Sequence, residues 1–232
     1  MRDRGIVIVL ATGRMFRSAL PYAMEIGIVE PVICYQGAMV REVRGGILFE
    51  EPVPAAAARA AVEFSRREGV HVNLYHDDAF YVENAGADAR RYADVAQVDP
   101  ILVPDLMEVA DRGSTKVVFV GEPAALRAHQ DAVRALFEPD QRVTFSLPEF
   151  LEVISAGADK GRALRLVCER LGIPATEVIA AGDAPNDVEM LAFAGLALAP
   201  ADAFPEAIRG ADALIPPPGE DGIADLVERY LA

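Results

Sequence analysis

The fold of this chain is decided by one stretch, VIAAGDAPND at residues 178–187. An apolar strand is predicted over 178–181 and a helix over 186–194, with two acids and an amide near the junction. Open α/β sheets bind ligands at the carboxyl ends of their strands, and carboxylate oxygens suit Mg²⁺. A helix cap would explain one acid. It would not explain Asp183 at the strand end together with Asp187 four residues later, so we favour a metal site here.

Two further segments carry groups that suit a phosphate. A helix predicted over 160–171 opens with Lys160, which opposes the helix dipole unless an anion lies there; a solvated surface lysine is an equally good interpretation. Thr12 and Gly13 follow a predicted strand at 6–10 and can hold a phosphoryl oxygen, although a simple strand-ending turn explains them alone. Together, a hydroxyl, a cation and a metal site match the needs of phosphoryl transfer.

The order of the predicted elements indicates an α/β fold. The run at 6–10 is continuous and β-branched, which is typical of a strand buried on both faces of a parallel sheet. Strands and helices alternate in the last third of the chain, which predicts a Rossmann-like, doubly wound parallel sheet. The middle has more hairpin character, beginning with a Gly-Gly turn. We predict a core of residues 1–44 and 149–232 with an inserted α+β cap domain at 45–148. The predicted helices are 17–26, 55–67, 123–137, 160–171, 186–194, 206–208 and 223–230.

Composition narrows the class of protein. The chain has 232 residues and a net charge of −14, whereas nucleic-acid binders present basic surfaces, so nucleic acid is not an expected partner. Cys34 and Cys168 form no CxxC motif, which favours buried thiols in a reducing cytoplasm. No apolar run reaches the roughly 18 residues of a membrane span. We expect a cytoplasmic monomer or homodimer that acts on a small molecule.

Taken in order, the motifs resemble those of a known family. LATGR at 10–14, Lys160-Gly161 and GDAPND at 182–187 resemble the second, third and fourth motifs of haloacid dehalogenase (HAD) phosphatases of the Cof type. ICYQGA at 33–38 and EDGI at 220–223 are supporting matches. The resemblance runs over nearly the whole chain and is weakest in the inserted domain. It implies a magnesium-dependent phosphomonoester hydrolase for a small phosphorylated metabolite such as a sugar phosphate, with a mobile cap that selects the substrate.

The resemblance also implies a role for each matching residue. Thr12 would bind the transferring phosphoryl group, and Lys160 would stabilise its charge. Asp183 would ligate Mg²⁺, while Asn186 and Asp187 would hold the metal's waters or orient neighbouring groups. The predicted catalytic pair is Lys160 and Thr12, the predicted substrate-binding set is Thr12, Gly13, Arg14, Lys160 and Asn186, and the predicted metal ligands are Asp183 and Asp187.

Two departures from the family pattern bear on activity. Gln36 stands where the family usually has Asn. The family also opens with a strand that ends in Asp-x-Asp-Gly-Thr, in which the first Asp is the nucleophile and the second the general acid/base. The printed sequence holds no such stretch, and Asp3 precedes a strand instead of ending one. Because that strand is central in the family's sheet, the core is predicted with its first strand missing.

Three functions stay open at this point. The first is a phosphatase that we expect to be inactive as the chain stands, because the segment with the nucleophile is missing. As the cause we favour a truncated or misassigned start over a true pseudoenzyme. A phosphosugar mutase is an alternative, because some capped relatives transfer phosphate within a sugar. A non-catalytic module that binds phosphate or metal is a third reading, and phosphate release from p-nitrophenyl phosphate separates it from the hydrolase.

Overall fold

The computed structural model describes residues 5–220 and 229–230. Asp3, residues 221–223 of the EDGI match and most of the helix predicted at 223–230 lie outside the described residues. Within the described part of the chain, no helix is long and apolar enough to cross a membrane. The helices are α1 Phe16–Glu25, α2 Ala55–Glu68, α3 Ala87–Ala96, α4 Met107–Ala110, α5 Pro123–Phe137, α6 Lys160–Leu171, α7 Val188–Phe193 and α8 Pro205–Gly210.

The strands of this part form three sheets. The first is β1 Val32–Cys34, β2 Met39–Arg41 and β3 Ile47–Glu50, all antiparallel. The second is β10 Ile179–Ala181, β11 Leu196–Pro200 and β12 Ala213–Ile215, all parallel. The third has the order β6-β5-β4-β7-β9-β8, from β4 His71–His76, β5 Ala79–Val82, β6 Ile101–Leu102, β7 Val117–Val120, β8 Gln141–Leu147 and β9 Phe150–Ser155. The predicted α/β class with an inserted unit is confirmed.

The segment at 6–10 differs from its prediction. It runs alongside β1, where the Ile33 amide donates to the Leu10 carbonyl over 2.9 Å and the Thr12 amide donates to the Ile33 carbonyl over 2.9 Å. Within the described ranges no strand pairs with its other edge. Burial on both faces needs neighbours on both sides. The segment is therefore half-buried, with Val7 38% exposed, and the prediction of a fully buried strand is wrong.

Strand pairing also moves the predicted domain limits. β3 pairs with β2, which pairs with β1, so a limit at 44/45 would cut a hairpin that belongs with the core. β9 pairs with β7 and β8, so the limit at 148/149 would remove a strand from the six-stranded sheet. Both predicted limits divide paired strands. We propose instead that the inserted unit begins after Glu50 and ends at Ser155.

The six-stranded sheet has two different faces because side chains alternate along each strand. Val117 and Phe119 of β7 pack with α2, α4 and α5 on the outer face. Val118 and Val120 pack with α1 and α3 on the face toward the core. The polar residues Lys116 and Glu152 share the parity of this inner face. The sequence alternation thus directs both side chains toward the core.

Candidate active site

Lys160 opens α6 but is not a solvated lysine. Its side chain is 8% exposed, and its ammonium donates to Asp187 Oδ1 over 2.6 Å. The cap of the helix is the preceding acid, Asp159, whose carboxylate accepts from the Arg162 amide over 2.6 Å. The anion that compensates the unfavourable helix position is therefore a carboxylate from the 182–187 loop.

Asp187 accepts three hydrogen bonds, two from the amides of that loop and one from Lys160. Its Oδ2 accepts from the backbone amides of Asp183 and Ala184, each over 3.1 Å, while Oδ1 accepts from Lys160. A cation approaching Oδ1 would meet the adjacent ammonium and be repelled. This geometry favours the orienting role for Asp187 over the role of direct metal ligand.

Asp183 is the better candidate for a metal. It is exposed and lies two residues after the end of β10, and its backbone carbonyl accepts from the Phe204 amide over 2.8 Å, which fixes the loop. Across the described residues, no three His, Cys, Asp or Glu side chains lie close enough together to hold a metal ion. Magnesium is often held by one or two carboxylates, with waters and substrate oxygens completing its shell. Asp183 fits as one such ligand.

Thr12 forms the turn that the sequence also allowed. Its hydroxyl oxygen accepts from the Arg14 amide over 3.1 Å, and its carbonyl accepts from the Gln36 amide over 3.1 Å. The hydroxyl proton has no acceptor in these contacts, so it stays able to donate to a ligand. A side-chain carbon added at Gly13 would lie 3.2 Å from Gln36 Cγ, which leaves little room beside the turn.

Arg14 reaches from the core to the inserted unit. Its guanidinium donates over 3.1 Å both to Ser18 Oγ and to the carbonyl of Val95 in α3. It also lies 5.5 Å from the ring centroid of Tyr22. These contacts hold Arg14 at the junction of the two units.

Close backbone contacts bring the three motifs together. Gly37 has φ +95°, and a side-chain carbon there would overlap the carbonyl of Asp159, so the 33–38 segment packs directly on the start of α6. A side-chain carbon at Gly161 would overlap the carbonyl of Glu189 at the start of α7. Only glycine permits these approaches. Segments far apart in sequence thereby meet at one end of the core.

A cavity of about 400 Å³ lies between the core and the inserted unit. Thr12, Gly13, Arg14 and Asn186 line it, whereas Lys160, Asp183 and Asp187 do not. Among the described residues, the buried Oδ1 of Asn186 has no hydrogen-bond partner. The predicted site residues thus form two groups. Thr12, Gly13, Arg14 and Asn186 line the cavity, and Lys160, Asp183 and Asp187 lie outside its lining.

Sequence reasoning missed a polar cluster on the other wall. Glu152 of β9 is 3% exposed, and its Oε1 accepts from Lys116 Nζ over 2.9 Å and from Ser146 Oγ over 2.8 Å. Its Oε2 accepts from Gln36 Nε2 over 2.7 Å. The available signal was a glutamate in FLEVIS, an otherwise apolar strand in which a charge is unusual.

Comparisons with known proteins agree with this architecture. A curated HMP-PP phosphatase of Serratia proteamaculans is 29% identical over 204 residues, covering 88% of this chain and 74% of the relative. The 5-amino-6-(5-phospho-D-ribitylamino)uracil phosphatase of Bacillus subtilis is 25% identical, covering 100% and 87%. A crystal structure from Thermotoga maritima is 29% identical with a TM-score of 0.89, covering 98% and 86%.

A second solved structure extends the likeness. A haloacid dehalogenase-like hydrolase from Bacteroides thetaiotaomicron is 25% identical with a TM-score of 0.90, over 98% of this chain and 88% of the other. The family model described as haloacid dehalogenase-like hydrolase matches residues 1–227. The chain belongs to the haloacid dehalogenase-like hydrolase family.

Proposed function

We propose that this chain is the framework of a magnesium-dependent phosphomonoester hydrolase that binds a small phosphorylated metabolite in the cavity between its two units. The observation that carries the proposal is the cavity wall on which Thr12, Gly13, Arg14 and Asn186 converge, with the buried Asn186 Oδ1 left without a hydrogen-bond partner. A buried polar atom of this kind is normally hydrogen-bonded, so it calls for a ligand or an ordered water. Relatives named as phosphatases of phosphorylated metabolites support the same class of ligand.

Each residue has a defined part in this proposal. The Thr12 hydroxyl donates to a phosphoryl oxygen at the cavity mouth. Lys160, held by Asp187, supplies positive charge from behind the loop, and Asn186 accepts from a bound water or a ligand hydroxyl. Asp183 would hold Mg²⁺, which when bound adds charge compensation to the phosphate. Asp187 is a positioning residue because its contacts are with Lys160 and with the loop amides.

We further propose that the printed chain binds phosphate esters but turns them over poorly. In-line transfer through a covalent intermediate needs a carboxylate opposite the leaving oxygen, and the sequence contains no Asp-x-Asp-Gly-Thr stretch. Binding groups without the nucleophile retain only a small part of a catalytic rate. We therefore propose that the chain as printed binds phosphate with little turnover, whereas hydrolysis is the chemistry of its family.

The test measures binding and turnover separately. Inorganic phosphate is titrated with and without Mg²⁺ and followed by amide chemical shifts, using the wild type, Lys160→Met and Asp183→Asn. Asp131→Asn, a loss of charge on the exposed face of α5, is the matched control. We expect Lys160→Met to weaken phosphate binding, and Asp183→Asn to remove the magnesium effect that Asp131→Asn retains.

Three results contradict the proposal. Phosphate binding that is unchanged in Lys160→Met would remove Lys160 from the site. A magnesium response that survives Asp183→Asn would remove Asp183 as a ligand. Release of phosphate from p-nitrophenyl phosphate by the wild-type chain, lost in Lys160→Met, would show that a nucleophile has been overlooked.

A further inference from the structure

The inner face of the six-stranded sheet presents a built polar site to the cavity. Lys116, Ser146 and Glu152 come from three adjacent strands or their ends. Lys116 and Glu152 share one parity, and Ser146 lies at a register shift of β8, where its hydroxyl donates to Glu152 Oε1 over 2.8 Å. All three line the cavity. They face the core wall on which Thr12 and Asn186 lie, with Gln36 joining the two walls through its contact with Glu152.

The charge of this cluster is balanced within the protein. Lys116 is 2% exposed, and its ammonium lies over the rings of Tyr35, Tyr75 and Tyr92 at 6.0, 5.2 and 5.8 Å from their centroids. Burial opposes its charge, but the interactions with Glu152 and Tyr92 together outweigh burial, so the pKa of Lys116 lies above its ordinary value. The pair therefore consists of an ammonium and a carboxylate whose charges cancel.

Acceptor capacity remains on Glu152. A carboxylate has about four lone-pair sites. Oε1 uses two, on Lys116 and Ser146, and Oε2 uses one, on Gln36. One site on Oε2 is left, on a residue that lines the cavity. Because a buried carboxylate held by three donors cannot turn away, this acceptor is fixed in direction.

We propose that Glu152 recognises an uncharged hydrogen-bond donor, a hydroxyl of a polyol or sugar, at the end of the substrate remote from its phosphate. This inference rests on the proposed function, because it takes the phosphate to lie at the Thr12 and Asn186 wall. Tyr92, Phe145 and Phe150 line the same cavity and supply an apolar surface for the carbon skeleton.

The same geometry selects against charged ends. A second anion would meet the carboxylate of Glu152 in a chain of net charge −14. A cation would compete with Lys116, which already neutralises that carboxylate. A hydroxyl can donate to Oε2 with no uncompensated charge, so neutral donors are favoured over both.

The test compares three esters of equal chain length. Ribitol 5-phosphate carries hydroxyls, pentyl phosphate carries none, and 5-phosphoribonate ends in a carboxylate; inorganic phosphate reports the phosphate wall alone. Their dissociation constants are measured by chemical-shift titration. Removing Glu152 alone would strand a buried ammonium, so the main variant is the double change Lys116→Met/Glu152→Leu. The control Arg134→Met/Glu138→Gln removes one charge of each sign from an exposed pair.

We expect the wild type and the control to bind ribitol 5-phosphate more tightly than 5-phosphoribonate. In the double variant the preference for ribitol 5-phosphate over pentyl phosphate should fall about tenfold, the worth of one hydrogen bond to a charged group. Its affinity for inorganic phosphate should stay within about twofold of wild type. An unchanged preference with intact phosphate binding overturns this inference alone. A wild type that binds no inorganic phosphate overturns the proposed function, and this inference with it.

Discussion

Replacing Asp187 by Asn should destabilise the fold by about 3 kcal/mol. The carboxylate contacts Lys160 over 2.6 Å, and the two side chains are 5% and 8% exposed. An asparagine can keep its one oxygen on the amides of Asp183 and Ala184, but its NH₂ group then faces the ammonium. Breaking a buried ion pair from one side costs about 3–5 kcal/mol. The lower end applies because the loop amides keep an acceptor.

The measurement is the free energy of unfolding in urea at neutral pH for Asp187→Asn, Lys160→Met and the double variant. The double-mutant cycle should give a coupling of at least about 2 kcal/mol between the two side chains. The control is Glu42→Gln, which breaks an Arg170–Glu42 pair of similar length, 2.8 Å, but 55% and 39% exposed. An exposed pair contributes at most about 1 kcal/mol. If Asp187→Asn costs no more than the control, or the coupling is below about 0.5 kcal/mol, Asp187 does not hold Lys160.

Three further outcomes are expected. Gly37→Ala should cost at least about 3 kcal/mol in urea unfolding, because it adds a backbone clash to a left-handed residue; Gly69→Ala, left-handed with open space around it, should cost about 1–2 kcal/mol. Burial raises the pKa of the Asp78 carboxyl, so its stabilising share is present at low pH and is lost as the pH rises. The unfolding free energy of Asp78→Asn should therefore increase relative to that of the wild type as the pH rises through and above the ordinary carboxyl range, and a difference that does not change with pH would contradict this. Burial likewise raises the pKa values of Cys34 and Cys168, so a thiol reagent should label them slowly in the native protein and fully in urea.

Several helices were predictable from the sequence, including the alanine-rich α2, but α3 was not. The helices at 123–137 and 160–171 occur with the predicted bounds, because leucine and valine mark one face of each, joined by Phe137 in the first. α3 was missed, since two of its three buried positions are Ala89 and Ala96, which give little periodic signal. The segment at 6–10 was predicted wrongly although its apolar signal is strong. Its composition suits a central strand, but composition does not report how many neighbours a strand has.

The motifs of the candidate site were predictable from the sequence, but the contacts between their side chains were not. The loop, the lysine and the threonine turn were each found at the end of a strand or the start of a helix. Whether Asp187 meets a metal or Lys160 depends on a contact across 27 positions, which no local pattern encodes. The Lys116–Glu152 pair was missed because its partners lie 36 positions apart and are joined only by strand pairing.

The ion pairs of the two lysines determine which groups are left to attract a phosphate. Lys160 is already paired with Asp187, and Lys116 with Glu152, so the positive charge of each lysine is largely compensated and Lys160 supplies only part of the attraction. Arg14 donates to Ser18 and to α3. In a chain of net charge −14, the proposed phosphate therefore has to be held mainly by directed hydrogen bonds and by the cation proposed at Asp183, with a smaller share from Lys160. Such a site discriminates by geometry more than by net charge. For that reason the fixed acceptor on Glu152, at the far wall, can decide which ester is bound.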